Sequence, residues 1–285
     1  MVDGRGRILT SKRIGTPKTD HSEQLFELLS DLIEVTCFEA LALGLTVMTC
    51  GVGSGGPMKR GGVTVSPLNI PAWREFPLLS RLEGLPRLAS VPVFVDNDAK
   101  ALALGESWVG AGRGVENFIA MVVSTGIGGG IMLDGRILDG EDGNAGHIGH
   151  VVVDPDGRAC SCGSWGCLEA EASGSAIEAI TGRPAAEAPP EIVERTGVLV
   201  GRAVASVASL LDLRLALAGG SVALGYGPGF FAAAQREIDA RARIEHAQGC
   251  KIEPVGLGTA GPLVGAAGVG WRGIGRLAAV PRDVP

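Results

Sequence analysis

The sequence predicts an α/β protein of two domains sharing a cleft, and three observations carry that expectation. The chain is 285 residues long, beyond the usual reach of a single hydrophobic core. Apolar runs of strand length alternate with stretches of helical period along most of it. Its 45 glycines, about twice the average share, gather at the ends of apolar runs, in "GVGSGG", "TGIGGG" and "LAGGS". Clusters of that kind bring backbone close to a ligand.

The elements follow in order. "RILTSKRI" predicts a short strand, and "HSEQLFELLSDLIEVTCFEALALG" a helix opened by Thr19 or Asp20 as its cap. "TVMTCGVGSGGP" reads as a strand running into a glycine loop; after the Pro-rich "SPLNIPAWREFP" comes a second strand, "VPVFVDND". "AKALALGESWVG" predicts a helix, which puts Asp98 at a strand-to-helix junction. "NFIAMVVSTGIGGGIMLDGRIL" reads as a buried strand, a glycine turn, a second strand, and an Asp134-Gly135 hairpin turn leading to a third. Beyond a cysteine-rich segment, "LEAEASGSAIEAIT" and "PEIVERTGVLVGRAVASVASLLDL" are helical. "LRLALAGGS" is a strand and a glycine turn, "GPGFFAAAQREIDARARI" a helix, "CKIEPVGLG" a strand and "GPLVGAAGVGWRGIG" a closing helix. No short-period repeat is present. A boundary near Leu104 is expected, giving a small N-terminal domain over 1–104 and a larger one over 105–261. The helix over 262–278 is expected to return to the first domain.

Composition narrows the function classes. Hydrophobic residues make up 46% and charged residues 20%, the balance of a folded chain. A net charge of -6, with no run of lysines or arginines, leaves nothing to neutralise phosphate backbone, so no nucleic-acid partner is expected. Arg202, Asp212 and Arg214 interrupt the longest apolar region, short of the roughly 18 residues of a membrane helix. "MVDGRGRILTSKR" lacks the apolar core of a signal peptide. A cytoplasmic protein with no membrane association is the expectation. In a reducing compartment the six cysteines point to a metal before disulfides. Cys37, Cys50 and Cys250 stand in apolar surroundings and read as buried thiols. Trp73, Trp108 and Trp271 read as core or rim aromatics, and His21 and His246 as surface residues in helices.

Three constellations carry chemistry. His150, Cys160, Cys162 and Cys167 form H-x9-C-x-C-x4-C, the donor types that zinc prefers. The single-residue gap between Cys160 and Cys162 requires a tight turn, for which Gly157, Gly163 and Gly166 supply backbone freedom. Three thiolates and one imidazole complete a tetrahedron and leave no position for water, so the Zn2+ is expected to be structural. Asp96, Asn97 and Asp98 end an apolar strand, where carboxylates in α/β folds face the ligand crevice, or else cap the following helix. "STGIGGG" sets a threonine hydroxyl beside a run of glycines, a candidate phosphate loop or a plain hairpin turn. "LAGGS" is a second strand-end glycine pair. Two such loops and a carboxylate together suggest a nucleotide cleft.

Taken in order, "VDNDAKALALGE", "STGIGGGI", "GNAGHIGHVVVDPDG", "CSCGSWGCLEAEASG" and "LAGGS" resemble the motifs of the ROK family (repressors, open reading frames and kinases) from about Gly51 to Gly268. The resemblance implies the actin-like, hexokinase-type (ribonuclease H-like) fold of two α/β domains around a central cleft. It implies ATP-dependent phosphorylation of a hexose, glucose or a related amino or N-acyl hexose, at its primary hydroxyl. In that reading Asp98 is the general base and Asn97 binds a neighbouring hydroxyl. Glu169, His150 and His147 contact the sugar, and Gly55, Gly56 and Asn69 line the same pocket. Thr125 and Gly126 match the phosphate loop, Gly219 and Gly220 the adenosine side, and ATP arrives with Mg2+. A zinc-bound His150 keeps one ring nitrogen with which to donate to the sugar. Homodimers occur in the family; the sequence shows no interface signature.

Two departures stand out. Sugar kinases of this family usually carry Glu where His147 stands, and an imidazole offers at most one acceptor and can be charged, so the sugar is not copied from glucose or N-acetylmannosamine kinases. Family kinases also open with a strand and a D-x-G-G-T turn on the ATP phosphates, whereas "MVDGRGRIL" matches the segment after that turn. The first strand and first phosphate loop are therefore expected to be missing, and activity to depend on them. The competing expectations are a sugar-sensing regulator of the same family, a catalytically inactive sugar-binding protein, and a zinc hydrolase, which needs an open metal position.

Overall fold

The computed structural model describes residues Met1–Leu277; Ala278, the last residue of the closing helix expected over 262–278, lies outside the described residues. The chain runs through α1 (Ser22–Ala42), β1 (Cys50–Ser54), α2 (Leu78–Glu83), β2 (Val93–Asn97) and α3 (Asp98–Val109). There follow β3 (Phe118–Val123), β4 (Ile127–Leu133), β5 (Arg136–Ile137), α4 (Leu168–Ala172), α5 (Gly174–Thr181) and α6 (Pro190–Leu211). It closes with β6 (Leu215–Gly219), α7 (Ser221–Tyr226), α8 (Pro228–Arg241), β7 (Lys251–Pro254) and α9 (Gly261–Gly273). These elements form two compact units.

The first unit contains Met1–Val109, the crossover segment Asp139–Ala145 and the described residues from Thr259 onward. Its sheet pairs β1 and β2 in parallel, with Ser54 opposite Asn97. β2 alternates buried and half-buried residues, so one face meets the core and the other is partly covered. α3 and α9 pack closely because Gly265 has no side chain: a Cβ there would lie 2.4 Å from the Ala101 carbonyl oxygen. The core under α1 is built from Leu25, Phe26, Trp73, Phe76, Leu78 and Leu82. Trp73 and Phe76 stack at 4.6 Å, and the Trp73 indole N–H donates to the Ser22 carbonyl at 3.2 Å.

The second unit contains Gly110–Leu138 and Gly146–Gly258. Its mixed sheet has the order β5-β4-β3-β6-β7, with β3 antiparallel to β4 and parallel to β6. β3 and β6 are almost wholly buried, which explains their unbroken apolar sequences. The Asp134-Gly135 turn has positive φ at both residues, 51° and 68°, the backbone that a two-residue hairpin requires. α6 begins at Pro190 and buries Leu199, Val200, Ala203 and Val204 along one stripe.

Several expectations need correction. Residues 7–14 form no strand; Val2 and Ile8 make one isolated antiparallel bridge, and with no neighbouring ladder to join, Ile8, Leu9 and Ile14 stay exposed. Neither Thr19 nor Asp20 caps α1: His21 holds that position without a side-chain bond, while the Thr19 hydroxyl accepts the His21 N–H one turn earlier at 3.2 Å. "LEAEASGSAIEAIT" divides into α4 and α5 because Ser173 is extended and its hydroxyl accepts the Ala176 N–H at 3.1 Å, capping the second helix. His246 is half-buried, with its Nε2 3.0 Å from the Ser209 carbonyl. The short helices α2 and α7 are not visible in the apolar spacing. No helix among the described residues is long and apolar enough to cross a membrane.

Candidate functional site

In the second unit the cysteine-rich segment folds into a small closed loop. Cys160 N–H donates to Ser164 and Gly163 N–H donates back to Cys160, at 2.8 and 2.9 Å, so the one-residue gap between Cys160 and Cys162 becomes a tight turn. Gly166 is obligatory here: its φ is +64°, and a Cβ would fall 1.5 Å from the Asp154 carbonyl oxygen. The turn gathers His150, Cys160, Cys162 and Cys167, whose donor atoms all lie within 4.8 Å of one another. Cys162 and Cys167 sulfurs are 3.7 Å apart, and Cys160 Sγ is 3.7 Å from His150 Nδ1. Two donors on one tetrahedral zinc, at about 2.3 Å for sulfur and about 2.0 Å for nitrogen, stand roughly 3.5–3.8 Å apart. The residues therefore fit a structural Zn2+ with its four positions filled by protein. Nδ1 faces the sulfurs, which leaves His150 Nε2 as the nitrogen outside the cluster. His147 stacks against His150, ring centres 6.0 Å apart.

The thiols are not equivalent. Burial pushes Cys167 up to about 12, whereas the Ser164 backbone holds the exposed Cys162 below the usual thiol range. A bound dication overrides both by ionising its thiol ligands outright. Beneath the loop lies a carboxylate that the sequence analysis missed. Glu171 is 1% exposed and accepts the Arg158 N–H at 2.5 Å, the Arg158 guanidinium at 3.1 Å and the Arg195 guanidinium. Burial raises its pKa, but these three donors outweigh burial and hold the carboxyl below its ordinary range. Its partner Arg195 lies a helix away in sequence, so no local pattern announces the pair.

The same unit assembles both glycine turns. β3 and β6 are neighbours, with Val122 opposite Gly219, so "STG" and "GGS" emerge side by side at the carboxyl ends of parallel strands, where α/β folds place ligands. Ser124 and Ser221 hydroxyls meet at 2.9 Å across the two turns. Gly220 has φ +93°, and a Cβ there would lie 2.4 Å from the Val123 carbonyl; only glycine lets the second turn pass this close. Glu169, two residues beyond the last cysteine, accepts the Ile127 N–H at 2.9 Å. A Cβ on Gly126 would come within 3.0 Å of the same Glu169 oxygen. Thr125, Gly126, Gly219, Gly220 and Glu169 are thus brought together, with the zinc loop attached through α4.

In the first unit, Asn97 and Asp98 stand where β2 becomes α3. Asn97 is 9% exposed and its side-chain oxygen accepts the Ala99 and Lys100 N–H groups at 3.0 and 3.4 Å; Asp98 Oδ1 takes the Ala99 N–H at 2.8 Å. Both side chains therefore satisfy the free amides at the start of α3. Gly55 and Gly56 continue directly from Ser54, the residue opposite Asn97, so they share its end of the sheet. A Cβ on Gly55 would meet Pro67 at 3.3 Å, which places the turn bearing the exposed Asn69 alongside. Behind this junction lie four charges whose pairing the sequence does not announce. Lys100 and Arg272 bind Asp96 and Asp139.

Comparison with known proteins agrees with this geometry. The family model described as "ROK family" matches residues 1–269. A ROK hexokinase from Thermus thermophilus superposes with a TM-score of 0.79 at 33% identity, covering 96% of this chain and 93% of that one. A ROK family glucokinase from Streptomyces griseus, solved with glucose and AMPPNP, gives 0.78 at 28% identity over 95% and 94%. A glucokinase from Thermotoga maritima is 47% identical over 129 residues, 45% of this chain; the match spans 39% of that protein's length. The two-unit α/β architecture is that of the actin and hexokinase type.

Proposed function

Because the chain belongs to the ROK family, we propose that it is an ATP-dependent hexose kinase of the glucokinase type. The observation that carries this reading is the placement of Asn97-Asp98 at the carboxyl end of β2, together with two touching glycine turns at the carboxyl ends of β3 and β6. The first supplies a carboxylate for a hydroxyl, and the second supplies backbone amides for phosphate. The likeness to a glucokinase holding glucose and AMPPNP supports the same pairing of substrates.

In this reading the Asp98 carboxylate accepts the proton of the sugar's primary hydroxyl as that oxygen attacks the γ-phosphorus. The bond from phosphorus to the ADP oxygen breaks, giving a hexose phosphate and ADP. Thr125 and Gly126 hold the phosphates, Gly219 and Gly220 the adenosine side, and Mg2+ enters with ATP. Asn97, Glu169, His147 and His150 bind sugar hydroxyls, and Gly55, Gly56 and Asn69 also contact the sugar. His150, whose Nδ1 lies 3.7 Å from Cys160 Sγ, would hold the zinc through that nitrogen and keep Nε2 to donate to the sugar. His147 sets the sugar preference, being an imidazole rather than a carboxylate.

The test is ADP release across glucose, mannose, glucosamine, N-acetylglucosamine and N-acetylmannosamine. It is run on this chain and on a form extended upstream through any in-frame Asp-x-Gly-Gly-Thr codons. Turnover with at least one hexose, lowered at least about 1,000-fold by Asp98→Ala with sugar binding retained by calorimetry, is the expected result. Retained turnover in Asp98→Ala removes the base assignment. Silence of both forms with intact sugar binding replaces the kinase by a sugar-binding protein.

A further inference from the structure

Lys100 is an unusual residue for its place. It is 2% exposed in a stretch of α3 that is buried all round, beside Ala99, Ala101, Leu102, Ala103 and Leu104. An ammonium taken out of water is costly, and a well-packed apolar side chain commonly serves stability as well or better. The ammonium is nevertheless well engaged: it donates to Asp139 Oδ1 at 2.6 Å and to the Gly143 carbonyl at 3.2 Å, and it forms an ion pair with Asp96 Oδ1 at 2.9 Å. Arg272 on α9 closes the figure, giving 3.2 Å to Asp96 Oδ2 and 2.8 Å to Asp139 Oδ2. Two carboxylates and two cations thus alternate in a ring that joins β2, α3, the crossover segment and α9.

One corner of the ring touches the candidate catalytic turn. Asp96 Oδ1, the oxygen held by Lys100, also accepts the Asn97 N–H at 2.8 Å. Asn97 in turn fixes the first amides of α3. A shift of the Asp96 carboxylate therefore moves the peptide that leads into Asp98. Asp139 is held below the ordinary carboxylate range: burial raises it, and Lys100 with Arg272 more than offsets that. Asp139 is accordingly a carboxylate at neutral pH.

We propose that Lys100 is a positioning residue: through Asp96 it fixes the backbone of the Asn97-Asp98 turn, and it contributes to the geometry of transfer more than to the stability of the fold. The proposal rests on the hexose-kinase reading for its kinetic consequence, but not for its structural one. Displacement of a reacting group by about 1 Å costs on the order of 100-fold in rate.

The experiment compares Lys100→Met with the double variant Lys100→Met/Asp139→Asn, in which the carboxylate left without its ammonium is neutralised. Melting temperature, steady-state kinetics and hydrogen exchange at Ala99 and residue 100 are measured for each. The expected result is a melting temperature that recovers towards wild type in the double variant while kcat stays about 10–100-fold low, KM for the sugar within about threefold. Faster exchange at the two amides is expected in both variants. Recovery of kcat in step with melting temperature, or unchanged exchange at both amides, overturns the proposal. If neither the wild-type chain nor its upstream-extended form turns over a hexose, the kinase reading fails and the exchange measurement alone decides for or against the clamp.

Discussion

The zinc loop and the β2–α3 turn meet the same physical demand, holding a few polar atoms in fixed places, over very different spans of chain. The loop draws its four ligands from His150 to Cys167 and needs one ion. The turn is held by Asp96, Lys100, Asp139 and Arg272, which come from β2, α3, the crossover and the final described helix. Metal–thiolate bonds contribute on the order of 10 kcal/mol to the folding of a small site. A ring of opposite charges contributes little net stability, because desolvation cancels much of the attraction. The loop should therefore melt as a local unit when one component is taken away, whereas the turn should loosen in geometry before it loses stability.

Metal removal tests the first half of that contrast and is the largest effect expected. Chelation, or Cys162→Ser, releases close to one zinc per chain, and hydrogen exchange then rises throughout 150–167 while the β2–α3 amides keep their protection. The melting temperature falls by several degrees, equivalent to about 2–5 kcal/mol. A protein that purifies without zinc, or a Cys162→Ser variant with unchanged metal content, contradicts the site. Equal deprotection of both regions breaks the comparison itself.

Glu171→Gln is next in size. The side chain is 1% exposed with two guanidiniums on it, but Arg158 and Arg195 are themselves 49% and 33% exposed, so solvent screens the charges left behind and the loss is about 1–2 kcal/mol. Because Glu171 also binds the Arg158 amide at the start of the cysteine turn, zinc affinity should fall about 10–100-fold, as for other groups that support metal ligands. Competition with a coloured chelator measures this. Unaltered affinity in a destabilised variant reduces Glu171 to a core ion pair.

How much of this was legible in the sequence follows the same division. The zinc ligands could be found because they lie close together and their chemistry is rare. β3 and β6 could be found because burial on both faces demands unbroken apolar runs, as in "FIAMVV". The Asn97-Asp98 junction could be placed from one strand and one helical period. The charged ring could not be found: Asp96 is only four positions from Lys100, but Asp139 is 39 positions further on, and Arg272, which pairs with the same two carboxylates, is 172, and only tertiary packing selects them from the chain's other charges. Glu171 and Arg195 escaped for the same reason. The expected strand over 7–14 failed because an apolar alternation forms a strand only where another strand offers a ladder, and Val2↔Ile8 is the single bridge it obtains. The break between α4 and α5 turned on one Ser173 hydroxyl, below the resolution of a periodicity argument.

Acid gives the finest separation of the two regions. Asp139 and Glu171 have folded pKa values below their ordinary ones, so each binds fewer protons folded than unfolded near pH 4. Their contribution to stability is fully present above the unfolded values, about 3.9 and 4.3, and is lost as pH falls through the lower folded values. The ring and the Glu171 pair should therefore weaken only below about pH 4, and the ring the less of the two, since Asp139 is 31% exposed and screened. Zinc follows a different course: its ligands must shed protons to bind, so affinity declines steadily from neutrality downward. Lowering the pH should release zinc first and relax the Ala99 and Lys100 amides afterwards, followed by a zinc-responsive dye and by exchange on the same sample. Loss of both signals in one transition would mean that the loop and the turn unfold together, and that the stability of the turn is not its own.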